Sequence, residues 1–491
     1  MRRRDFVKAG LGLSVSLPVR SWSAVLGSPG SIPSRTLEGS DVSLSAASVM
    51  DLAAGLRGDV LLSGGPGYDS ARRIWNGMFD KRPALITRCT GASDVRRALM
   101  FAREHRLLTA VRAGGHSVSG KSTCDGGIMI DLQPMRGVRV DPATRRAYVE
   151  AGSLLGQLDH ESQAHGLATT AGTFSITGAA GLTLGGGFGR LGRRFGLACD
   201  NVASFDVVTT DGRFLKASDE ENADLFWGLR GGGGNFGVVT SIEYRLHPVN
   251  PMVLGGHVIW PLEQGRGAAR LCRDMAIDAP DAANLSPFLY WAGTTAHFGV
   301  GVCWSGDHAE GERWLEPLRA FGRPVTDAVR PMRYVDIQSA DDADYPDGIH
   351  SYAKNGFVGE LTNDNIDLIF DVFLRTPGLY TMFLDHCGGA YARVAQDATA
   401  FPRRDMQFIL AMWSGWKSSD GLDEKVSKMR AAWRELEPIT GGFYVNYAGT
   451  DNVASRDREN YGTNFERLVA LKAKYDPMNL LRLNANVPPK L

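Results

Sequence analysis

Apolar residues recur along the first third of the chain with two periods in turn. The segments "ALITRCT" (84–90) and "LLTAVRAGG" (107–115) predict strands, while apolar positions every three to four residues predict a helix over "SDVRRALMFAREH" (93–105). "GGIMIDL" (126–132) predicts another buried strand. This order of elements is typical of a β-α-β unit.

The pattern then changes twice. "GVRVDPATRRAYVEAG" (137–152) predicts two strands around an Asp-Pro turn, and "NVASFDVVTTDGRFLKAS" (201–218) predicts a hairpin. Beyond Pro248 glycine becomes rarer, and strand-like runs alternate with helix-like runs up to residue 440, which predicts an antiparallel sheet covered by helices. The stretch 461–481 predicts an amphipathic helix closed by Asp-Pro.

The amino terminus, "MRRRDFVKAG", has the features of a twin-arginine export signal. Arg3, Arg4, Phe6 and Lys8 match that pattern together, and the apolar stretch behind them is too short to span a bilayer. A frayed basic terminus is the simpler alternative. We expect residues 1–24 to be the signal, and the folded protein to be periplasmic or secreted from a bacterium.

Charge and composition narrow the possible partners. The 491 residues include 54 Lys+Arg and 54 Asp+Glu, so nothing in the charge favours nucleic acid, and we expect a small-molecule substrate and no membrane span. The six cysteines form no Cys-x-x-Cys pair, which favours burial as their role. His160 and His165 are five apart rather than four, so we expect no metal site.

Glycines cluster at 114–127, 172–196 and 228–237. Clustered glycines let backbone N–H groups converge on an anion, and a diphosphate is the ligand that this arrangement suits. The second cluster contains Gly-x-Gly-x-x-Gly at 187–192, but it does not follow a buried strand at the start of a β-α-β unit. The sequence therefore does not predict a classical dinucleotide fold there.

Five blocks together resemble one family. Residues 112–117, 126–132, 171–202, 231–240 and 464–481 occur in the order and spacing of the berberine-bridge-enzyme-like FAD-linked oxidoreductases, which share the vanillyl-alcohol-oxidase type of flavin fold. The resemblance covers roughly 55–246 and 440–491, with looser agreement between.

The resemblance implies an α+β fold. Its parts would be a PCMH-type FAD-binding domain of two α/β subdomains over 55–247, a substrate-binding domain over 248–440, and a segment 441–491 that completes the first domain. Residues 25–54, rich in serine and glycine, are interpreted as a linker.

In this family the loop at 112–117 wraps the FAD diphosphate, and its histidine bonds covalently to the flavin 8α carbon. His116 holds that position, and Phe174 stands where many relatives have a second tethering cysteine, so one covalent link is implied. The other cofactor-binding residues implied are Arg112, Ala113, Gly114, Gly115, Ser117, Val118, Gly172, Thr173, Thr177, Gly178, Gly181, Gly185, Gly237, Val239 and Asn484.

The implied reaction removes hydride from a C–H bond beside oxygen or nitrogen, with a base taking the O–H or N–H proton. Tyr444 and Tyr447 match the family's Y-x-N-Y block and are the catalytic candidates, although either one could only pack against the flavin. A tyrosine pKa near 10 needs a favourable neighbour to fall toward neutrality. Some relatives take a carboxylate base from the substrate domain, but no motif places one here.

The substrate and the electron acceptor stay open. Trp413 and Trp416 could stack on a sugar or another ring, or belong to the core. Thr177 stands at a position associated with oxygen access to the flavin. The sequence thus favours an FAD-dependent oxidase of sugars, hemiacetals or secondary-metabolite alcohols that uses O2. The alternatives are a dehydrogenase or amine oxidase with another acceptor and a non-catalytic flavin-binding protein, and the oligomeric state is open.

Overall fold

The computed structural model describes residues 30–451 and 454–490, so the predicted export signal at 1–24 lies outside the described residues. The described part begins with a hairpin, a helix and a small mixed sheet. The elements are β1 Ser31–Arg35, β2 Asp41–Ser45, α1 Ala46–Ala54, β3 Asp59–Leu62, α2 Tyr68–Arg72, β4 Leu85–Arg88, α3 Ala92–Glu104, β5 Thr109–Arg112 and β6 Ile128–Asp131. The sheet order is β3-β4-β6-β5, with β6 parallel to both β4 and β5, as the β-α-β pattern predicts.

The interpretation of residues 25–54 as a linker is wrong from residue 31 onward. β1 pairs with β2, and Leu108 N–H donates to Arg35 O at 2.9 Å, which joins the hairpin to the first sheet. Leu44, Val49 and Leu52 are each 1% exposed in the core of the first domain. The abundant small polar residues indicated flexibility, but these few apolar side chains bury enough surface to order the segment.

A second layer follows with mainly antiparallel strands. Its elements are β7 Val138–Asp141, β8 Arg146–Glu150, α4 Leu155–Gln163, β9 Leu167–Ala168, α5 Ala179–Leu184, α6 Gly192–Phe195, β10 Val202–Val208, β11 Phe214–Ser218, α7 Ala223–Leu229, β12 Val238–Arg245 and β13 His247–Pro248. The sheet order is β11-β10-β12-β8-β7. The predicted hairpin is present, and Gly212 at its turn has φ of +82°, a conformation that favours glycine.

The second domain is an antiparallel sheet with helices packed on it, as the sequence predicts. Its elements are β14 Met252–Pro261, α8 Leu262–Ile277, β15 Ala283–Ala292, β16 Thr295–Trp304, α9 His308–Arg319, β17 Thr326–Asp327, β18 Arg330–Arg333, α10 Tyr334–Gln338, β19 His350–Val358, α11 Asn363–Leu374, β20 Thr381–His386, α12 Ala390–Arg393, β21 Phe408–Trp416 and α13 Leu422–Leu436. The main strand order is β17-β14-β16-β15-β20-β21-β19.

Alternation along β20, a central strand of this sheet, determines which of its side chains face the first domain. Met382 and Leu384 on β20 are buried in the cluster that includes the core-facing residues of α8, α11 and α13. Phe383 instead belongs to the aromatic cluster of Trp75 and Trp413, between the two domains. Asp385 follows on the same face as Phe383.

The carboxy-terminal segment returns to the first domain through α14 Ala454–Tyr461 and α15 Phe465–Tyr475. Leu468 and Leu480 are fully buried in the core of that domain. Lys472 and Asp476 form an ion pair at 2.8 Å with both side chains 0% exposed, and Lys472 Nζ also donates to Asn235 O at 2.9 Å. These buried contacts fix the last residues of the chain against the third glycine cluster.

Candidate active site

A cavity of about 310 Å³ lies between the two domains and the carboxy-terminal segment. Nearly all the residues that the sequence implicated in cofactor binding or catalysis line this cavity. They are Ala113, Gly114, Gly115, His116, Ser117, Val118, Gly172, Thr173, Thr177, Gly178, Gly181, Gly185, Gly237, Val239, Tyr444, Tyr447 and Asn484. Segments far apart in the sequence therefore meet where the family resemblance implies.

The glycines allow two loops to touch through their backbones. A Cβ atom on Gly114 would lie 2.4 Å from the Cα of Gly178, so neither loop could approach the other with larger residues. A Cβ on Gly181 or Gly234 would meet nothing within 4 Å, although both line the cavity. At these two positions the missing side chain leaves room for a ligand to approach the backbone.

Arg112 is the one predicted cofactor contact that does not line the cavity. Its side chain is 8% exposed and packs beneath the loop, where the guanidinium donates to the carbonyl oxygen of Ala71. A Cβ on Gly115 would lie 3.0 Å from Arg112 Nε. We therefore correct the prediction that Arg112 contacts the cofactor. Its side chain supports the loop from the side away from the cavity, because alternation along the strand directs it there.

His116 is held as a neutral imidazole. Its ring stacks on Trp75 with centroids 4.2 Å apart and planes at 18°. Burial lowers the pKa of His116 to about 4, and its Nε2 atom has no hydrogen-bond partner among the residues described. Trp75 has no place in the motif, so sequence reasoning missed it.

The unpaired polar atoms of the cavity fit the binding of FAD. His116 Nε2, Ser122 Oγ and Asn484 Oδ1 belong to lining residues, are buried, and lack a partner within the described part of the chain. Buried polar atoms of this kind require a hydrogen-bonding ligand or water. No cysteine is among the lining residues described, and Phe174 lies at the wall with its ring 5.2 Å from that of Tyr345.

Tyr444 has its hydroxyl directed to the backbone. The oxygen accepts hydrogen bonds from the N–H groups of Gly187 at 3.1 Å and Phe188 at 3.2 Å, and from Asn446 Nδ2 at 2.6 Å. The Tyr444 N–H donates to Asn355 Oδ1 on β19 at 2.6 Å. Burial raises the pKa of Tyr444. This phenol is a structural anchor of the segment.

Tyr447 has a different partner. It ends a short 3-10 helix, Val445–Tyr447, and its side chain lies close enough to Asp385 on β20 for each group to shift the pKa of the other. Burial raises the pKa of Asp385 to about 6, against smaller lowering contributions from Tyr447 and the charge of Arg190. Its Oδ2 atom is buried and unpaired in the described structure. Sequence reasoning did not place this carboxylate, although strand alternation on β20 was the available signal.

The two tyrosine rings meet edge to face, with centroids 4.9 Å apart and planes at 79°. The Tyr444 hydroxyl binds backbone N–H groups and Asn446, while Tyr447 lies beside Asp385, so the paired phenols expected from the sequence are not joined by a hydrogen bond among the described contacts. Burial and Asp385 raise the pKa of Tyr447 well above its usual value. The lowering of a tyrosine pKa that the sequence suggested is therefore not produced by the chain's own groups.

Trp413 and Trp416 lie on opposite sides of β21. Trp413 lines the cavity, with its ring 5.6 Å from Tyr447 and 6.3 Å from Tyr345. Trp416 is half-buried against the core of the second domain, with Lys425 Nζ 5.7 Å from its ring. Three positions along a strand reverse the side on which a residue lies, so only Trp413 faces the site.

Metal sites, membrane-spanning helices and cysteine pairs can also be assessed over the described residues. Among them, no group of histidine, cysteine, aspartate or glutamate could hold a metal ion, and no helix is long and apolar enough to cross a membrane. All six cysteines are buried and unbonded to one another, which confirms the role predicted for them.

Comparison with known proteins agrees with this geometry. A model described as "FAD binding domain" matches residues 83–218, and one described as "Berberine and berberine like" matches 443–488. An FAD-linked oxidoreductase from Dictyostelium discoideum is 31% identical over 90% of the chain and 97% of its own length. (R)-6-hydroxynicotine oxidase from Paenarthrobacter nicotinovorans is 30% identical over 89% and 97%.

A solved structure shows the same fold. The crystal structure of 6-hydroxy-D-nicotine oxidase from Arthrobacter nicotinovorans superimposes with a TM-score of 0.80 at 29% identity, covering 89% of this chain and 98% of that one. The predicted α+β, PCMH-type fold is thereby confirmed.

Proposed function

The chain belongs to the berberine-bridge-enzyme-like family of FAD-linked oxidoreductases, and from this membership we propose that it is an oxidase whose flavin is reoxidised by O2. Its substrate is a small organic molecule with a C–H bond beside a hydroxyl or an amine. The proximity of Tyr447 to the buried carboxylate of Asp385, at the wall that also holds His116, carries the proposal.

FAD, when bound, accepts the hydride. We propose that His116 links to it covalently, and that the backbone of residues 113–118, 172–178 and 233–237 holds the rest of the cofactor. An imidazole with a pKa of about 4 keeps a free lone pair at neutral pH, and its stacking on Trp75 fixes the ring direction. The absence of cysteine from the described lining residues supports a single link.

Tyr447 and Asp385 act together on the proton. The phenol oxygen accepts the substrate's O–H or N–H proton while the phenol's own proton passes to the neighbouring carboxylate. Asp385 with a pKa of about 6 is mostly ionised at pH 7, so it can receive that proton. Two groups sharing the task avoid the need for a phenolate in the resting protein.

The test is anaerobic reduction of the flavin by a panel of alcohols, hemiacetals and cyclic amines, followed by absorbance. Tyr447→Phe is expected to slow reduction by about two to four decades, the usual effect of removing a positioned base. A Tyr447→Phe variant that reduces its flavin at the wild-type rate would remove the proposed role.

The electron acceptor is tested separately. Flavin reduced without oxygen is returned to air, and an oxidase is expected to reoxidise it within seconds. A lifetime of many minutes would instead identify a dehydrogenase that uses another acceptor, with the chemistry at Tyr447 unchanged.

Export is proposed from the sequence alone. Arg3 and Arg4, in the segment before the described residues, are expected to direct the folded protein out of the cytoplasm. Replacing both by lysine should leave the protein in the cytoplasmic fraction of the producing bacterium. Unchanged export of that variant would contradict the assignment.

A further inference from the structure

The second domain contributes two residues, Tyr345 and Trp413, to the described lining of the cavity. Both are aromatic. No carboxylate, amide or amine from this domain faces the cavity among the described residues, and Asp385 reaches it only through Tyr447. The part of the wall that this domain supplies therefore offers two rings with one phenol hydroxyl and one indole N–H, which are too few hydrogen-bonding groups for a polyhydroxylated ligand.

The rings of this wall stand roughly perpendicular to one another. Trp413 lies at 87° to Tyr345 and at 86° to Tyr447, and Phe174 lies at 81° to Tyr345, with centroids between 5.2 and 6.3 Å apart. Edge-to-face contacts hold each ring in one orientation and leave its flat side or edge for a further aromatic partner.

One polar atom of this wall is unused. Trp413 is 8% exposed, and its Nε1–H has no acceptor within the described chain. Its aromatic neighbour Trp75 does not share this state, because Trp75 Nε1 donates to Tyr345 O at 2.9 Å. A buried indole N–H normally has a partner, so this one is available to a ligand.

We infer, resting on the proposed function, that the substrate is a flat aromatic or fused-ring compound with one hydrogen-bond acceptor, and that Trp413 Nε1–H donates to that acceptor. The ring packs beside Phe174, Tyr345 and Trp413. A sugar would bury several hydroxyl groups against these rings without partners, which is unfavourable.

Matched probes separate the ring from the acceptor. 1-Indanone and indane have the same fused rings, but only 1-indanone has a carbonyl oxygen. Their dissociation constants are measured on the oxidised holoprotein from changes in the flavin absorbance spectrum, so no turnover is needed. Cellobiose serves as the sugar probe.

Trp413→Phe keeps an aromatic ring and removes the donor. Trp416→Phe is the matched control, because it makes the same change on the same strand but away from the cavity. The wild type and the Trp416→Phe variant are expected to bind 1-indanone about fivefold more tightly than indane, a ratio typical of one hydrogen bond. In Trp413→Phe the ratio should fall to about one.

The possible outcomes are distinct. An unchanged ratio in Trp413→Phe would overturn the assignment of its indole, and tighter binding of cellobiose than of 1-indanone to the wild type would overturn the substrate class. If Trp413→Phe does not retain flavin, the indole N–H resonance in wild-type protein labelled with 15N-tryptophan is followed instead. That resonance should shift with 1-indanone and not with indane, and the absence of a shift would contradict the inference.

Failure of the proposed function gives a different result. If 1-indanone binds as expected but no alcohol or amine in the panel reduces the flavin, the oxidase proposal fails and the binding inference stands. If cellobiose reduces the flavin and 1-indanone does not bind, the enzyme assignment stands and the inference fails.

Discussion

Asp385→Asn is expected to slow the reaction at the site without unfolding the protein. The change keeps the shape of the side chain on β20 and removes its ability to take a proton from Tyr447. Since a positioned base contributes about two to four decades to the rate, anaerobic flavin reduction should slow by that amount.

The pKa of Asp385 sets the expected pH dependence. With a pKa of about 6, the carboxylate is ionised in about one-tenth of the molecules at pH 5 and about nine-tenths at pH 7. Reduction by the wild type should therefore rise about tenfold between these two values, since only the ionised form accepts a proton. Asp385→Asn should lose this rise.

The raised pKa of Asp385 also affects stability, and here the carboxylate is unfavourable at high pH. Burial raises it from 3.8 to about 6, so the folded state holds the proton where the unfolded state has lost it. Wild-type stability then falls as the pH rises from about 4 to 6 and stays lower above that. At pH 8 Asp385→Asn should be more stable by up to about 3 kcal/mol, and below pH 4 this difference should vanish.

Asp159→Asn is the matched control. Asp159 is also buried, accepts a hydrogen bond from Gln338 Nε2 at 3.2 Å, and has a pKa raised by burial to about 7. Its replacement should also stabilise the protein at high pH, but should leave the pH profile of flavin reduction unchanged. If Asp385→Asn keeps the wild-type rate and profile, or if both variants alter the profile alike, the assignment of the base is refuted.

Three further changes probe the scaffold. Gly114→Ala places a Cβ atom 2.4 Å from Gly178 Cα and should abolish flavin retention, measured by the absorbance of purified protein. Arg404→Met removes the two hydrogen bonds, at 2.7 and 2.8 Å, that the guanidinium donates to the buried carboxylate of Asp200, which should cost about 3–5 kcal/mol in denaturant titrations. Tyr444→Phe removes the acceptor of two backbone N–H groups, so it should lower unfolding free energy by about 1–3 kcal/mol while changing flavin reduction less than tenfold.

The cavity lining was predictable because it depends on backbone. Positions such as Gly114 and Gly178 must be glycine for the two loops to touch, so the requirement is visible as a motif. At Gly185 the close neighbour is a side chain instead, since a Cβ would lie 2.1 Å from Asn446 Oδ1. Arg112 shows what a motif does not predict, because the motif identifies the loop but not the direction in which each side chain points.

Apart from Trp75, the site residues whose roles the sequence did not resolve come from the second domain. Asp385 lies beside a tyrosine 62 positions later in the chain, and no local pattern encodes that contact. Trp413 and Trp416 were equivalent as residue types, and only the side of β21 on which each lies distinguishes them. The hairpin at 31–45 was missed because composition outweighed its two buried leucines, Leu37 and Leu44.

The most direct test of the account is the intact mass of the purified protein after denaturation, compared with His116→Ala. Wild-type polypeptide should be heavier than its amino acids by one FAD, and His116→Ala should have the mass of its polypeptide alone. A wild-type chain that carries no added mass under denaturing conditions would contradict the covalent link at His116.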